Sequence, residues 1–454
     1  MEEDEKEKLI MKPYVPLGIL YVSAYLEKHG FDNEIFDSTF SSFEKLKIHL
    51  MESRPSVIGI YTNLMTKLNV LRIISFVKKE KKLSTTKIIL GGPEVRNHAK
   101  EFINHGADFI VIGEGEETML QLVKKLETKQ EVTFAELKGI VWKNEKDEIV
   151  FNPEQTLLKS IDELSFPNRK KISLQLYFDA WKTAHGSSTI SLSTMRGCPY
   201  TCKWCSRAVY GGTYRRRNAK LVVDEIVELQ KDYTFDNIWF VDDVFTISHK
   251  WLKEFADEIS KRNVRIKYEI ITRADRMNEE VIDLLVQSGC FRVWIGAESG
   301  SQHVIDAMDR RVDVNQVRDM IKLARKKGLE AGTFIMLGYP GETQKDIKET
   351  IRHLNESNPD YYTITVAYPI KGTPLYSETE NKFFERKEWK LATDRDIDFK
   401  RTYSRRYYDF ALRWVYNEVA FRKNLRSKSF MKLPVLKMKS IAAQGGMLFQ
   451  RMLK

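Results

Sequence analysis

Cysteine is the scarcest residue with chemistry to offer in this chain, with four in 454 positions. So few cannot staple a secreted fold through disulfides, and three of the four fall within eight residues, which points to metal chemistry in a reducing compartment. Long apolar runs are missing too: no stretch reaches about 18 uninterrupted apolar residues, so none reads as a bilayer-spanning helix. The opening Met1-Glu-Glu-Asp-Glu-Lys-Glu-Lys-Leu-Ile-Met-Lys-Pro-Tyr14 is acidic and has neither the apolar core nor the cleavage region of a secretory signal. The expected location is the cytoplasm. No repeat recurs at a fixed period, which excludes solenoids and propellers, and nothing beyond the charged start is of low complexity.

What is present is a folded chain of several domains. With 42% hydrophobic and 30% charged residues it can bury real cores, and its length exceeds one ordinary domain. The first 130 residues alternate helix and strand signals. Helices are expected near 16–30, 42–53, 67–80 and 116–127, and strands at Asn33 to Asp37, Ser56 to Tyr61, Thr86 to Leu90 and Asp108 to Ile112. That alternation implies an α/β domain built on a doubly wound parallel sheet, which binds ligands beyond the carboxyl ends of its strands. Those ends carry Thr62-Asn63, Gly91-Gly92-Pro93-Glu94 and Gly113-Glu114-Gly115. Glycines there either admit a large ligand to the backbone or simply make tight turns, and spacing alone leaves both open.

Residues 136–185, with a hairpin at 139–142 and 149–151, read as a linker. From Thr189 a second series runs through strands at Thr189 to Ser193, Asn237 to Val241, Ile266 to Ile271, Phe291 to Ile295, Gly332 to Leu337 and Tyr362 to Ala367, with helices between them. Six strands with crossover helices predict a partial (β/α)6 barrel with its chemistry at the strands' C-terminal face. The expected division is therefore 1–135, 136–185, 186–380 and a basic helical region over 381–454.

The strongest signal is Cys198-Pro-Tyr-Thr-Cys202-Lys-Trp-Cys205, placed just after the first strand of the second series. Three thiolates on one loop can cap three irons of a four-iron cluster and leave the fourth open to an external ligand. Structural zinc is the competing reading. It wants four ligands, and Cys290, in Ser288-Gly-Cys-Phe-Arg292 leading into a strand, reads as a buried inert thiol.

This segment, with Trp204 before the third cysteine, resembles the radical S-adenosylmethionine (SAM) superfamily. The resemblance implies that Cys198, Cys202 and Cys205 hold a catalytic [4Fe-4S] cluster whose open iron binds SAM. It further implies that Asp242 and Asp243 recognise the SAM amino group, Arg273 its carboxylate, Glu298 and Ser299 the ribose, and Gly338 lies near the adenine. Taken singly, each has a structural alternative: a helix cap, an ion pair or a satisfied buried carboxylate.

The first series, through Val15 to Leu26, Pro55 to Ile60, Leu90-Gly-Gly-Pro93 and Ile112-Gly-Glu-Gly-Glu-Glu-Thr118, is similar to the cobalamin-binding domain that precedes the radical barrel in one branch of that superfamily. By that likeness Gly91, Gly92, Gly113 and Glu114 contact cobalamin. Two departures stand out: an opening apolar strand is missing, because Met1 to Lys12 is mostly charged, and so is the Asp-x-His-x-x-Gly signature of a lower axial histidine.

The branch includes methyltransferases and ring-forming enzymes. The expected activity is reductive cleavage of SAM to a 5′-deoxyadenosyl radical that functionalises an unactivated C–H bond, with cobalamin-dependent C-methylation as the leading outcome. The alternatives are cobalamin-independent radical cyclisation or rearrangement and, outside enzymes, an iron–sulfur structural or nucleic-acid-binding protein. A flavodoxin or ferredoxin-like electron donor is implied.

The net charge of +11 is local. Residues 401–454 hold thirteen Lys plus Arg and two acidic residues, 13 − 2 = +11, so the rest of the chain is neutral. Apolar residues interleave this charge and no nucleic-acid module accompanies it. The segment therefore suits an anionic membrane at its inner face better than nucleic acid, and it tilts the expected substrate towards a hydrophobic small molecule or lipid. A solvated helical tail packed on the barrel is the bland reading.

Overall fold

The computed structural model describes residues 10–128, 133–384 and 387–453. The charged start expected to replace an opening strand lies mostly outside the described residues. The chain forms two compact units, one of residues 1–199, 206–239 and 387–393, the other of 200–205, 240–386 and 394–454.

In the first unit, β1 (Val57–Tyr61), β2 (Lys87–Gly91) and β3 (Phe109–Val111) are parallel neighbours, and β4 (Ile140–Lys143) and β5 (Ile149–Phe151) continue the sheet as an antiparallel hairpin. Alternate residues feed opposite faces. Ile88, Leu90, Ile110 and Val141 enter one core, and Ile89, Phe109, Val111 and Ile140 enter the other. Burial on both faces is why these strands read as unbroken apolar runs. The hairpin placed in the linker thus extends the sheet edge. Residues 387–393 return to this unit, where the Trp389 ring packs edge-on to Phe102 at 4.8 Å.

Asn33 to Asp37 forms no strand. Polar side chains there satisfy the backbone locally: Asn33 Nδ2 donates to the Ser23 and Phe31 carbonyls, and Asp37 accepts from the Thr39 N–H and the Tyr177 hydroxyl. Such bonds compete with a sheet ladder.

The second series forms β6 (Thr189–Leu192), β9 (Asn237–Phe240), β10 (Tyr268–Thr272), β11 (Cys290–Glu298), β12 (Glu330–Leu337) and β13 (Tyr361–Val366), a six-stranded sheet in the order β13-β12-β11-β10-β9-β6. A short ribbon, β7 (Met195–Arg196) with β8 (Arg215–Arg216), stands apart from it. The helices that follow the strands begin where a side chain takes up orphan N–H groups: Asn218, Ser248, Asn278 and Asp313 each accept from the first turn, and Thr343 with Asp346 makes a capping box. Among the described residues no helix is long and apolar enough to cross a membrane.

Packing in the second unit leans on aromatic rings. Phe240, Phe245, Phe255 and Tyr268 are all fully buried and meet edge-on or tilted. One strand pair depends on a missing side chain: Trp294 lies opposite Gly332 across β11 and β12, and a Cβ on Gly332 would stand 2.4 Å from the indole ring. Gly332→Val is therefore expected to overpack this site and cost about 1–3 kcal/mol, seen as a lower denaturation midpoint. An unchanged midpoint would show that the ring can move aside.

Candidate active site around the cysteine loop

The cysteine loop leaves and re-enters the β7–β8 ribbon. At its neck Gly197 has φ +83°, and a Cβ there would lie 2.3 Å from the Thr213 carbonyl oxygen, so only glycine lets the two strands of the loop approach this closely. The ribbon pairs Arg196 with Arg215, and both side chains reach one carboxylate. Arg196 Nη1 donates to Glu114 Oε1 at 2.9 Å and Arg215 Nη1 to Glu114 Oε2 at 2.8 Å, while Arg196 also engages Glu116. The Leu158 N–H adds a bond to Glu114 at 2.9 Å. Burial alone would raise the Glu114 pKa, but the arginine bonds and charge outweigh it and hold the carboxyl below its ordinary value. Nearby, Arg96 Nε donates to the Ala208 carbonyl at 2.7 Å, tying the returning loop to the turn after β2.

In the second unit, residues 200–205 are fastened to the segment after the helix Gln302–Ala307. The Lys203 N–H donates to the Met308 carbonyl at 3.1 Å, Thr201 Oγ1 to Asp309 at 2.7 Å, and the Leu375 N–H to the Lys203 carbonyl at 2.9 Å. Trp204 packs on the cluster of Val304, Met308, Tyr339 and Leu375. Two guanidinium groups face the buried Cys202 Sγ, Arg310 Nη1 at 3.6 Å and Arg273 Nη1 at 3.9 Å. Cys198 is half-buried and Cys205 exposed. Among the described residues no three Cys, His, Asp or Glu side chains stand close enough as they are to hold a metal ion.

Comparison with known proteins matches residues 192–354 to the radical SAM superfamily and residues 11–123 to the B12 binding domain. The chain carries a radical SAM domain and a B12-binding domain. It is 28% identical over 371 residues to an uncharacterized methyltransferase of Pyrococcus horikoshii, covering 80% of this chain and 77% of that protein. It is 24% identical over 380 residues to the anaerobic magnesium-protoporphyrin IX monomethyl ester cyclase of Rubrivivax gelatinosus, covering 81% and 66%. Among solved structures, the cobalamin-dependent SAM radical enzyme OxsB with aqua-cobalamin bound shares the fold, with a TM-score of 0.75 at 17% identity over 96% of this chain and 71% of that one.

In the radical SAM domain the expected SAM-facing residues occupy strand ends with differing freedom. Asp242 is buried, and Asp243 is open to water but crowded by protein, which together with the Asp242 charge raises its pKa. Arg273 is fully buried and already engaged: Nε donates to Asp275 at 2.8 Å, Nη2 to the Arg310 carbonyl at 2.9 Å, and the Tyr200 ring lies 3.8 Å from its guanidinium carbon. Glu298 sits at a bulge in β11 with φ +64°, a costly conformation for a residue with a side chain. Burial raises its pKa against the pull of Arg310 and Arg273. Ser299 Oγ faces Thr350 Oγ1 at 3.3 Å and accepts the Ser301 N–H. Gly338, φ +77°, donates its N–H to Glu342 Oε2 at 2.6 Å, and Val366, Arg401 and Tyr408 close in on its Cβ direction.

Arg310 escaped the sequence reading. It lies between two left-handed residues, Asp309 and Arg311, with Nη2 on the Gly296 carbonyl at 3.0 Å; a Cβ on Gly296 would meet that guanidinium at 2.4 Å. The signal available was Met308-Asp-Arg-Arg311 following a short helix, too common a pattern to single out.

In the B12-binding domain the strand-end glycines divide. Gly92, φ +107°, makes a turn in which a Cβ would strike the Thr62 carbonyl at 2.5 Å, so the chain itself requires it. Gly91 has nothing within 4 Å of its Cβ position, and Tyr61 and Met65 at the neighbouring strand end are exposed. Gly113, φ +88°, starts the turn into the helix Gly115–Glu127. Glu114, expected to touch the cofactor, has its carboxylate in the ion pairs with Arg196 and Arg215. The open backbone and apolar side chains around Gly91 fit a large flat ligand. The two guanidinium groups facing Cys202 Sγ fit an anionic cluster held at the loop by placing positive charge beside it.

Two outcomes follow from these geometries. Glu114→Ala removes the acceptor shared by buried Arg196 and half-buried Arg215, leaving them Glu116 and the Leu158 carbonyl, and is expected to cost about 1.5–3 kcal/mol, with iron loading after anaerobic reconstitution falling in parallel; thermal denaturation and iron analysis read both. Burial pushes the Glu342 carboxyl up to about 8, whereas the unfolded chain releases that proton near 4.5. The folded state thus binds more protons between these values, and stability falls as pH rises through the window. Glu342→Gln should match wild type below the window and exceed its stability above it by on the order of 5 kcal/mol, measured by thermal denaturation across pH.

Proposed function

We propose that this enzyme cleaves SAM reductively and methylates an unactivated carbon of a hydrophobic small molecule with the help of cobalamin. The observation that carries this reading is the cysteine loop with two buried guanidinium groups against Cys202, in a chain that also holds a B12-binding domain. Cys198, Cys202 and Cys205 would hold a [4Fe-4S] cluster, and the strand ends and open backbone at Gly91 and Gly113 would receive cobalamin. When bound, these groups supply the electron that breaks the SAM sulfonium bond to give methionine and a 5′-deoxyadenosyl radical, and the methyl group delivered to the substrate.

The residues of the chain bind and orient. Asp242 and Asp243 offer carboxylates to the SAM amino group, and Glu298 and Ser299 offer acceptors and a hydroxyl to the ribose. Gly338 leaves its turn slim beside the adenine. With Arg273 spent on Asp275 and on the Arg310 carbonyl, its Nη1 faces the thiol and serves the charge around Cys202 more directly than the SAM carboxylate. Trp204 and its apolar neighbours exclude water from one side of the loop.

Radical SAM enzymes need a one-electron reductant, and we take a flavodoxin or ferredoxin-like protein as the donor. The basic C-terminal segment supports peripheral contact with an anionic membrane, where hydrophobic substrates such as a lipid, an isoprenoid or a tetrapyrrole precursor dissolve. The cyclase among the relatives favours a second reading, radical ring formation without methyl transfer.

Anaerobic reconstitution with iron, sulfide and hydroxocobalamin, followed by metal analysis and assay with SAM and a strong reductant, tests both. Stoichiometric cobalt with release of 5′-deoxyadenosine is the expected result. Release without cobalt favours ring chemistry, and loaded protein that releases none would leave the cluster a structural or nucleic-acid-binding staple. Cys202→Ala should abolish iron loading and turnover together.

A further inference from the structure

The helix Leu433–Met452 is apolar on two opposite sides. One side packs inward: Ser440, Ala443 and Met447 are buried, a Cβ on Gly446 would stand 2.5 Å from the Phe410 ring of the helix Arg405–Arg426, and Ser440 Oγ donates to Glu418 at 2.5 Å. At 100° per residue, Val435, Met438, Ile441, Leu448, Phe449 and Met452 fall on the other side as one continuous stripe. All six are exposed, between 47% and 77%. Lys432 and Lys439 border the stripe along one margin; on the other, Lys437 is ion-paired with Glu418 at 3.0 Å and Arg451 donates to Gln344 at 3.4 Å.

We propose that this outer stripe is the surface by which the protein docks on an anionic lipid bilayer, with the stripe entering the acyl boundary and the lysines at the level of the phosphates. The proposal rests on the reading of the C-terminal segment as membrane-directed and adds which face of which helix makes the contact. Charge selects the occupant. Residues 401–454 carry the whole +11 of the chain. A second copy using the same face in a two-fold contact would bring +11 against +11, which disfavours self-association. A nucleic acid would accept the charge and leave six apolar side chains in water. An anionic bilayer satisfies both at once, through apolar burial and attraction to its headgroups.

The test is cosedimentation of the full-length protein, kept anaerobic, with vesicles of phosphatidylcholine alone or mixed with phosphatidylglycerol. Binding to the mixed vesicles only, weakened by salt, is expected. Ile441→Glu with Leu448→Glu, both exposed and outside the packed side, should weaken it about tenfold or more. Lys432→Gln and Lys439→Gln should each weaken it about fivefold. Folding of each variant is verified by circular dichroism and an unchanged melting temperature. Wild type bound to mixed vesicles with the double Glu variant bound equally well would overturn the assignment of this face and leave membrane contact standing. No binding to mixed vesicles, or equal binding to phosphatidylcholine, would overturn both. A dimer in solution that the double Glu variant dissociates would make the stripe a self-interface and also sink the proposal.

Discussion

A carboxylate taken out of water must find its charge partner within the protein, and Glu114 finds two, on both strands of the ribbon that closes the cysteine loop. This constraint orders much of what surrounds it. The ribbon is only two residues wide, far too short to be stable on hydrogen bonds alone. Its register matters because it sets Arg196 directly opposite Arg215, and two like charges so placed would repel unless a shared anion lay between them. Glu114 is that anion, with Glu116 as its second, at the start of the helix Gly115–Glu127. Removing it leaves a ribbon with every reason to open. The point where the cysteines leave the fold is thus set by an ion pair whose other half belongs to the turn after β3.

Beyond the neck, two arginines again surround one acidic group. Cys202 is buried beside two guanidinium groups, and the backbone on either side of one of them is held in costly conformations. Arg310 stands between left-handed Asp309 and Arg311 and threads past Gly296, while Glu298 opposite it is left-handed too, with 3.7 Å from its carboxylate to Arg310. Three strained non-glycine residues within one loop-and-strand end persist only where surrounding contacts over-determine them. Here the contacts are the Thr201–Asp309 and Lys203–Met308 bonds that fasten the cysteine loop to the same segment. Strain and anchorage therefore belong to a single arrangement.

Strands buried on both faces, such as Lys87–Gly91, and helices such as Phe43–Ser53 behind its Ser42 cap are legible in the sequence because their causes are local: periodicity and caps. The cysteine spacing is legible for the same reason, since three cysteines within eight residues point to metal chemistry on their own. Long-range pairing is not. Nothing near Arg196 or Arg215 in the chain announces Glu114 as their shared acceptor. Arg310 was invisible because its role depends on the absence of a side chain at Gly296, fourteen residues upstream. Asn33 to Asp37 failed as a strand because Asn and Asp spend their hydrogen bonds locally, which a run of residue types does not reveal.

The last helix shows the limit of periodicity most clearly. A helix with one apolar face gives a clean amphipathic signal; one with two opposite apolar faces largely cancels it, and the segment reads only as basic and mixed. The structure separates the faces. The small residues Ser440, Ala443 and Gly446 let one side approach the helix Arg405–Arg426 closely, while the large residues Met438, Ile441, Leu448 and Phe449 stay outside. A side meant only for packing or for water would not concentrate its bulk where no protein covers it. Because the rest of the chain is neutral, this charge does not steer ligands to the cysteine loop in general. It acts where it sits, on the margins of the stripe that holds the bulk.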